Sequence, residues 1–521
     1  MDVFQTLPAE ICLLIMENIY SHTTIWRLIS ASPAMLRCHQ QHKDTLLRTY
    51  ISKLTQAGDD DKGLLEDAMG IMGFNNARRN NRAIKVHFNR WAANTLPDPF
   101  KKPKKNRIAK LDRLFSRVGL FIEDYMSKAT SPALALEYLS LPKITYTNTN
   151  KRVTLDDLTP TERYRLFRAF LKFELLCKVF DPHVKMAICG KTTSSSDEED
   201  ESTSSSDEDD KSQRPEHYWN IAQGSWQETD PWLYESIHCV WDYIQTCYGA
   251  IFAHVAWADK YPAFLTTDPR RKSLLYPDNM YVKSHEYFKD MRMPRECTFL
   301  TIWTACQGLD LLFHLLTHMG KGPEGTRNMR RWIYSIYCHH STYYRHIRGR
   351  FLFKDHPENS ILRHTHIRLP AMLIKEEGSP YSDWDISSPI WSDREQQPDY
   401  ASIPYDQLKI FRQRAWILCD DTRLYPPVDV HFPDTDTLAE QRQQAWDLGP
   451  SENNVSKRRR SPEWQDYWAG RTLESPSIYD EEVDEVELSW RNPVHAPSFY
   501  DSPHGQGLST FWRHEKKPRF R

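Results

Sequence analysis

The sequence predicts a mainly α-helical protein, with a small three-helix N-terminal unit and a larger, irregular helical body. Three observations carry this. Apolar residues keep the 3.6-residue period of a helix over long runs, clearest at Leu233, Ile237, Val240, Trp241, Ile244, Cys247, Tyr248, Ile251, Phe252 and Val255. Strand-type alternation is weak throughout, and no fixed-period repeat is present. Glycine is scarce, 18 in 521 residues, about half the usual ~7 %, which argues against Gly-rich phosphate loops, propellers and many-turned β architectures.

The elements follow in chain order. Residues 1–55 read as a compact helical unit. Leu7-Pro8 leads into a helix with apolar Ile11, Leu14, Ile15 and Ile19. A short second helix sets Ile25, Leu28 and Ile29 on one face. Ala31-Ser32-Pro33 breaks it, because a proline disfavours helix in the residue before it. A third helix carries Met35 and Leu36, then Leu47, Tyr50, Ile51 and Leu54. Three helices this short close a small core and leave an apolar face uncovered.

Residues 75–190 combine a basic stretch with a helical region. Positions 75–110 hold eleven Lys or Arg against one acid, Asp98. At Thr159-Pro160-Thr161-Glu162 a cap, a proline at the first helical position and a capping-box acid announce a helix. The run that follows to Phe180 is rich in Leu and Phe on a wide face, which predicts burial on more than one side.

Residues 191–216 open with Ser, Asp and Glu and almost no apolar residue, so nothing offsets the entropy of ordering them; they read as a disordered acidic linker that divides the chain in two. Residues 217–375 form the main helical domain, with helices opening at Asp230-Pro231, spanning 297–319 and spanning Arg330–Arg350. Residues 376–521 are a Pro-, Trp- and charge-rich tail, partly disordered, with short helical patterns at 404–419, 436–448 and 461–469 that pack on the body.

Composition bounds the function classes. Hydrophobic residues at 40 % and aromatics at 12 % exclude a wholly disordered chain. Net charge is −2, from 68 basic and 70 acidic residues, so no global field steers the protein to nucleic acid or membrane. The ten cysteines include no CxxC pair and read as reduced, buried thiols. MDVFQTLPAE has an acid where a secretory signal needs bases. The apolar run at 297–319 is interrupted by Gln307, Asp310, His314 and His318, and an Asp alone costs about 2.5–3.5 kcal/mol at a bilayer centre. The expected location is cytoplasmic, nuclear or both.

The segment 7–51 resembles an F-box, in particular the F-box-like N-termini common in fungal proteins. The marks are Leu7-Pro8, Glu10-Ile11, Leu14-Ile15, Ile19, Leu28-Ile29 and Ala31-Ser32-Pro33. Arg37-Cys38-His39 departs from the pattern, since many F-boxes keep a more apolar third helix. The resemblance covers under a tenth of the chain. It implies that Leu7, Pro8, Ile11, Leu14, Ile15, Ile19 and Leu28 dock a Skp-type adaptor of a cullin ubiquitin ligase, and that the rest of the chain selects a protein substrate. An ordinary helical subdomain packed permanently on the body is the alternative for the same residues.

Catalytic motifs fail their context tests. Gly320-Lys321-Gly322-Pro323-Glu324-Gly325 spells GxGxxG, but a helix precedes it and Pro323 lies inside, so Gly320 reads as a helix C-cap in a connecting loop. His314 and His318 fall at i and i+4 as in zinc peptidases, yet Leu315 occupies the place of the general-base Glu; they read as core histidines. No catalytic residue, cofactor or metal is expected, and the enzyme class, which needs Asp310, His314 and His318 to converge, ranks behind a ligase receptor and a helical scaffold.

Two segments read as regulatory. Ser194, Ser195, Ser196, Ser204, Ser205 and Ser206 each have an acid three residues on, the pattern of acidophilic casein-type kinases. Lys457-Arg458-Arg459-Arg460 resembles a nuclear import signal, with Ser461-Pro462 beside it as a masking phosphosite or a helix cap. Basic stretches carry too few interleaved aromatics for nucleic-acid binding to be expected.

Overall fold

The structure, a computed structural model, describes residues 2–56, 63–77, 81–101, 105–130, 153–179, 231–256, 304–319 and 409–420, with 423, 439, 440 and 443. Among the described residues every regular element is helical and no strand occurs, so the fold is mainly α as expected. The acidic linker, Arg330–Arg350, the 461–469 pattern and nearly all of 436–448 lie outside the described residues. Two compact units are distinguished: Met1–Glu123 with Val153–Trp241 and Gln307–Leu309, and Asp124–Arg152 with Asp242–Cys306 and Asp310–Arg521.

The first unit begins with a 3-10 turn at Val3–Thr6, capped by Asp2, which accepts from the Phe4 N–H at 3.0 Å. Helices α1 (Ala9–Glu17) and α2 (His22–Ala31) follow, both packed on α3 (Pro33–Gln56). Ser32 is extended at ψ 114, as the residue before Pro33 must be, and its hydroxyl links two helix ends. It accepts from the Met35 N–H at 3.1 Å and donates to the Asp2 carboxylate at 2.8 Å. Ala34 N–H also donates to Asp2, at 3.1 Å, and these bonds hold the Asp2 carboxyl below its usual pKa. α3 kinks at His42 (φ −113, ψ 18), separating Met35 and Cys38 from Leu47, Tyr50, Ile51 and Leu54. Cys12, Met16, Ile29, Met35 and Cys38 make the small core of this corner.

Next come α4 (Gly63–Ala77), α5 (Asn81–Ala92), α6 (Lys105–Ala129) and α7 (Pro160–Val179). α4 packs against both α5 and α7, with Leu64, Ala68, Met69, Ile71, Met72 and Phe74 buried. It is an element with no counterpart in the sequence reading, because apolar residues on nearly every face leave no periodic stripe. The capping box of α7 is present: Thr159 N–H donates to Glu162 Oε2 at 2.9 Å, and Glu162 N–H donates to Thr159 Oγ1 at 3.2 Å. α7 is buried almost all round, down to Glu162, Arg163, Glu174 and Lys178.

The expected helix over 297–319 is corrected. Its described part is helical at 304–305, turns at 306–307, passes Gly308 at φ +81 and resumes as a helix from Leu309 to Met319 (α9, following α8 at Pro231–Ala256). The cause lies on α7. Glu174 Oε2 accepts from the Leu309 N–H at 2.6 Å, and a Cβ on residue 308 would lie 2.3 Å from that same oxygen. Only glycine admits both the positive φ and this approach.

The second unit contains α8 from Asp242 on, where the predicted periodic residues Ile244, Cys247, Tyr248 and Ile251 are buried. Asp124 pairs with Lys128 at 2.8 Å and accepts from the Tyr243 hydroxyl at 2.7 Å. Residues 409–419 pack in the same unit, a short helix and turns with Ile410, Phe411, Leu418 and Cys419 buried. Arg412 pairs with Asp242 at 3.3 Å, Arg414 donates to the Ala129 carbonyl at 2.9 Å, and the Tyr125 hydroxyl donates to the Arg412 carbonyl.

Candidate functional site

The nine residues of α1 are apolar on two sides, and the structure uses the sides differently. Cys12 and Met16, at i and i+4, face the core with 3 % and 1 % exposure. Ile11 and Leu14, spaced i and i+3, lie on the outer side of the helix and are 42 % and 54 % exposed, and Leu7, in the extended backbone just before it, is 37 % exposed. Pro8 is exposed beside them and supplies the carbonyl that accepts the first α1 amides, Ile11 and Cys12, both at 3.1 Å. The other three candidate residues are placed otherwise. Ile15 and Leu28 are half-buried against the core of Cys12, Met16, Ile29, Met35 and Cys38, and Ile19 is half-buried at the end of α1. Trp26 on α2, Leu36 on α3 and Val3 in the 3-10 turn are further exposed apolar side chains of this corner. Leu36 therefore points outward while its neighbour Met35 is fully buried.

At Arg37-Cys38-His39 it is Cys38 that faces inward, 5 % exposed, with burial raising its thiol pKa. Arg37 is exposed and His39 half-buried, so the departure in sequence still leaves one small apolar group at the inward position. Complete burial of an aliphatic side chain is worth about 1.5–3 kcal/mol, so covering Leu7, Ile11 and Leu14, each near half exposed, is worth roughly 2–4 kcal/mol.

What the sequence did not disclose is how this corner is mounted within its unit. Glu123 of α6, 2 % exposed, accepts from the Ser21 hydroxyl, from Thr23 Oγ1 at 3.3 Å and from the Leu155 N–H at 3.2 Å. Asp156 accepts from the N–H groups of Tyr20 at 2.6 Å and Ser21 at 3.2 Å. The Arg163 guanidinium stacks 3.7 Å over the Tyr20 ring and donates to the carbonyls of Leu155 and Leu158. Lys53 Nζ donates to the Glu17 carbonyl at 2.8 Å. The α1–α2 connection is thus gripped by four side chains from α3, α6, α7 and the turn at Leu155–Asp157. Such polar contacts across a hundred residues leave no local pattern.

His22 lies against Tyr50, with ring centroids 5.6 Å apart, and its Nδ1 is 3.0 Å from Ser116 Oγ. Burial lowers its pKa, against the opposing pull of Asp112 and Glu123. In the second unit burial pushes the Cys247 thiol up to about 12, and Tyr243 is raised well above its usual value for the same reason.

The remaining sequence candidates are placed as follows. His314 is exposed on α9 between buried Leu312 and Leu315, which corrects its reading as a core histidine. Among the described residues no group of three or more His, Cys, Asp or Glu side chains is gathered for a metal ion. No described helix is long and apolar enough to cross a membrane. Gly320–Gly325, Ser194–Ser196, Ser204–Ser206, Lys457–Arg460 and Ser461 lie outside the described residues.

No family model, no curated protein and no solved structure matches this chain.

Proposed function

We propose that the chain is a non-catalytic substrate-recognition subunit of F-box type, docking the Skp-type adaptor of a cullin ubiquitin ligase through α1. The observation that carries the proposal is the exposed apolar group of Leu7, just before α1, with Ile11 and Leu14 on the outer side of α1, a helix whose Cys12 and Met16 already fill a core. A helix with its fold satisfied and apolar surface to spare favours a partner. In this reading the aromatic-rich region 217–375 supplies the substrate surface, aromatics giving large contact area at low entropic cost. Lys457–Arg460 serves nuclear import.

The test is capture of the purified full chain on immobilised Skp-type adaptor from the host. Leu14→Asp and Leu7→Ala/Pro8→Ala are expected to abolish capture while the circular dichroism spectrum stays unchanged. Ile15→Asp is the wrong probe, because Ile15 packs on the core. A folded wild type that the adaptor does not retain would refute the proposal.

A second reading, a helical protein-interaction scaffold with no ligase role, is favoured by the grip on residues 17–23, which mounts α1 and α2 on α6 and α7 as a fixed subdomain. Adaptor-independent partners retained equally by wild type and Leu14→Asp would support it.

A further inference from the structure

We propose that the basic face of α5 is the docking site for the chain's own acidic, serine-rich segment, residues 194–210, and that phosphorylation of that segment tightens the contact. The proposal is independent of the adaptor reading. α5 is sharply two-sided. Ile84 and Phe88 are buried and His87 and Trp91 half-buried, whereas Arg82, Val86, Asn89 and Arg90 are exposed and Lys85 is partly so. At 100° per residue Arg82, Lys85, Asn89 and Arg90 spread over about 140° of the outer face, opposite Ile84 and Phe88, and the helix contains no acid. Lys101 beyond it is exposed as well.

The chemistry of this face selects its ligand. Phe88 is 3 % exposed, and Trp91 Nε1 donates inward to Asp67 Oδ1 at 3.3 Å. With both rings turned toward the core, the face has no platform on which bases stack. Val86 is its single exposed large apolar side chain, too little to enter a lipid interface. What remains is a row of cations suited to a polyanion read by charge and, through Arg, by phosphate oxygens.

The chain itself provides that polyanion. Residues 194–210 contain nine acids and no base, and six of the serines have an acid three residues downstream. Both described anchors of the intervening chain, Val179 at the end of α7 and Pro231 at the start of α8, belong to the same compact unit as α5. From Val179 to Ser194 the chain reaches up to about 50 Å at ~3.3–3.6 Å per residue. Tethering of this kind supplies an effective concentration of order millimolar, so a contact too weak to detect between separate molecules is populated within one. Each phosphate adds ~1.5–2 negative charges.

The experiment is zero-length carbodiimide cross-linking of the full chain, before and after treatment with a casein-type kinase. Linked peptides are expected between Lys85 or Lys101 and the acids at 197–210. Their yield should rise about threefold on phosphorylation and vanish at about 1 M salt, where the screening length is ~3 Å. An Arg82→Glu/Arg90→Glu variant, altered only on the surface, should lose the links with its circular dichroism intact. Absence of links in the phosphorylated wild type, or their persistence in that variant, overturns the proposal. In a second arm the nine acids are changed to Asn and Gln, and a fluorescent phosphorylated peptide of residues 191–213 is added in trans. It should bind the neutralised chain about tenfold tighter than the wild type, whose site is occupied. Equal binding overturns the proposal, as does an oligonucleotide that binds the neutralised chain more tightly than the peptide.

Discussion

Replacing Glu123 tests how the N-terminal corner is mounted. Its carboxylate accepts from Ser21 Oγ, Thr23 Oγ1 and the Leu155 N–H while 2 % exposed. In Glu123→Ala the two hydroxyls rotate toward other acceptors, but the Leu155 amide loses its partner in a buried place. An orphaned buried donor costs about 1–3 kcal/mol. The void left by the carboxyethyl group adds to this, giving about 3–5 kcal/mol in all. Glu123→Gln keeps one oxygen for Ser21 and Leu155 and offers an NH2 to the Thr23 hydroxyl, which is able to accept, so it should cost only about 1 kcal/mol. Native-state hydrogen exchange at Tyr20, Ser21, Thr24 and Leu155 reads the local opening free energy without requiring the whole chain to unfold in one step. The expected outcome is exchange faster by a factor of about 10²–10⁴ in the alanine variant and about 5 in the glutamine variant. An alanine variant within about 1 kcal/mol of wild type would refute the reasoning, and so would a glutamine variant as damaged as the alanine one.

Three further outcomes follow from features of the same kind. Gly308→Ala places a Cβ 2.3 Å from Glu174 Oε2 at φ +81 and should cost about 1–3 kcal/mol, seen as a lower denaturation midpoint; an unchanged midpoint would refute the glycine requirement. His22, His39 and His87 all have pKa values lowered chiefly by burial, so the unfolded chain takes up protons first; stability is complete above pH ~6.5 and falls as the pH drops below it. The thermal midpoint should therefore fall between pH 7.5 and 5.5, above the carboxylate range, and His22→Gln should lessen the drop; a flat midpoint would contradict this. Cys247, with its thiol pushed up to about 12, should resist iodoacetamide at pH 8.5 in the native protein and react fully in denaturant, read by peptide mass spectrometry; native labelling would show that the site opens.

Local chemistry was legible in the sequence wherever the physics is local. The break at Ser32-Pro33, the capping box of Thr159 and Glu162 and the buried period of α8 depend on neighbours within a few turns, and each stands where the residues placed it. Of the seven residues that the F-box resemblance groups together, Leu7, Pro8, Ile11 and Leu14 are exposed, whereas Ile15 and Leu28 pack on the core, a division that the resemblance does not show. What stayed hidden depends on distant partners. Gly308 breaks a helical run because Glu174 reaches it from α7. The helical pattern at 404–419 showed no partners for Arg412, Gln413 and Arg414, yet each is at most 2 % exposed, because Asp242, Thr246 and the Ala129 carbonyl await them. α4 was missed from the opposite cause, having apolar residues on too many faces to show a period.

The packing of residues 409–419 bears on the order in which the protein is made. Tyr125 and the Arg412 carbonyl that it bonds are separated by 287 residues, and Cys419 Sγ lies 3.7 Å from Met126 Sδ across 293. At ~5–20 residues per second a ribosome needs roughly 15–60 s to travel from one partner to the other. Through that interval the end of α6 has left the exit tunnel while the strap that covers Tyr125 and Met126 has not been synthesised. The packing of this part of the second unit is thus completed only once residue 419 has been made.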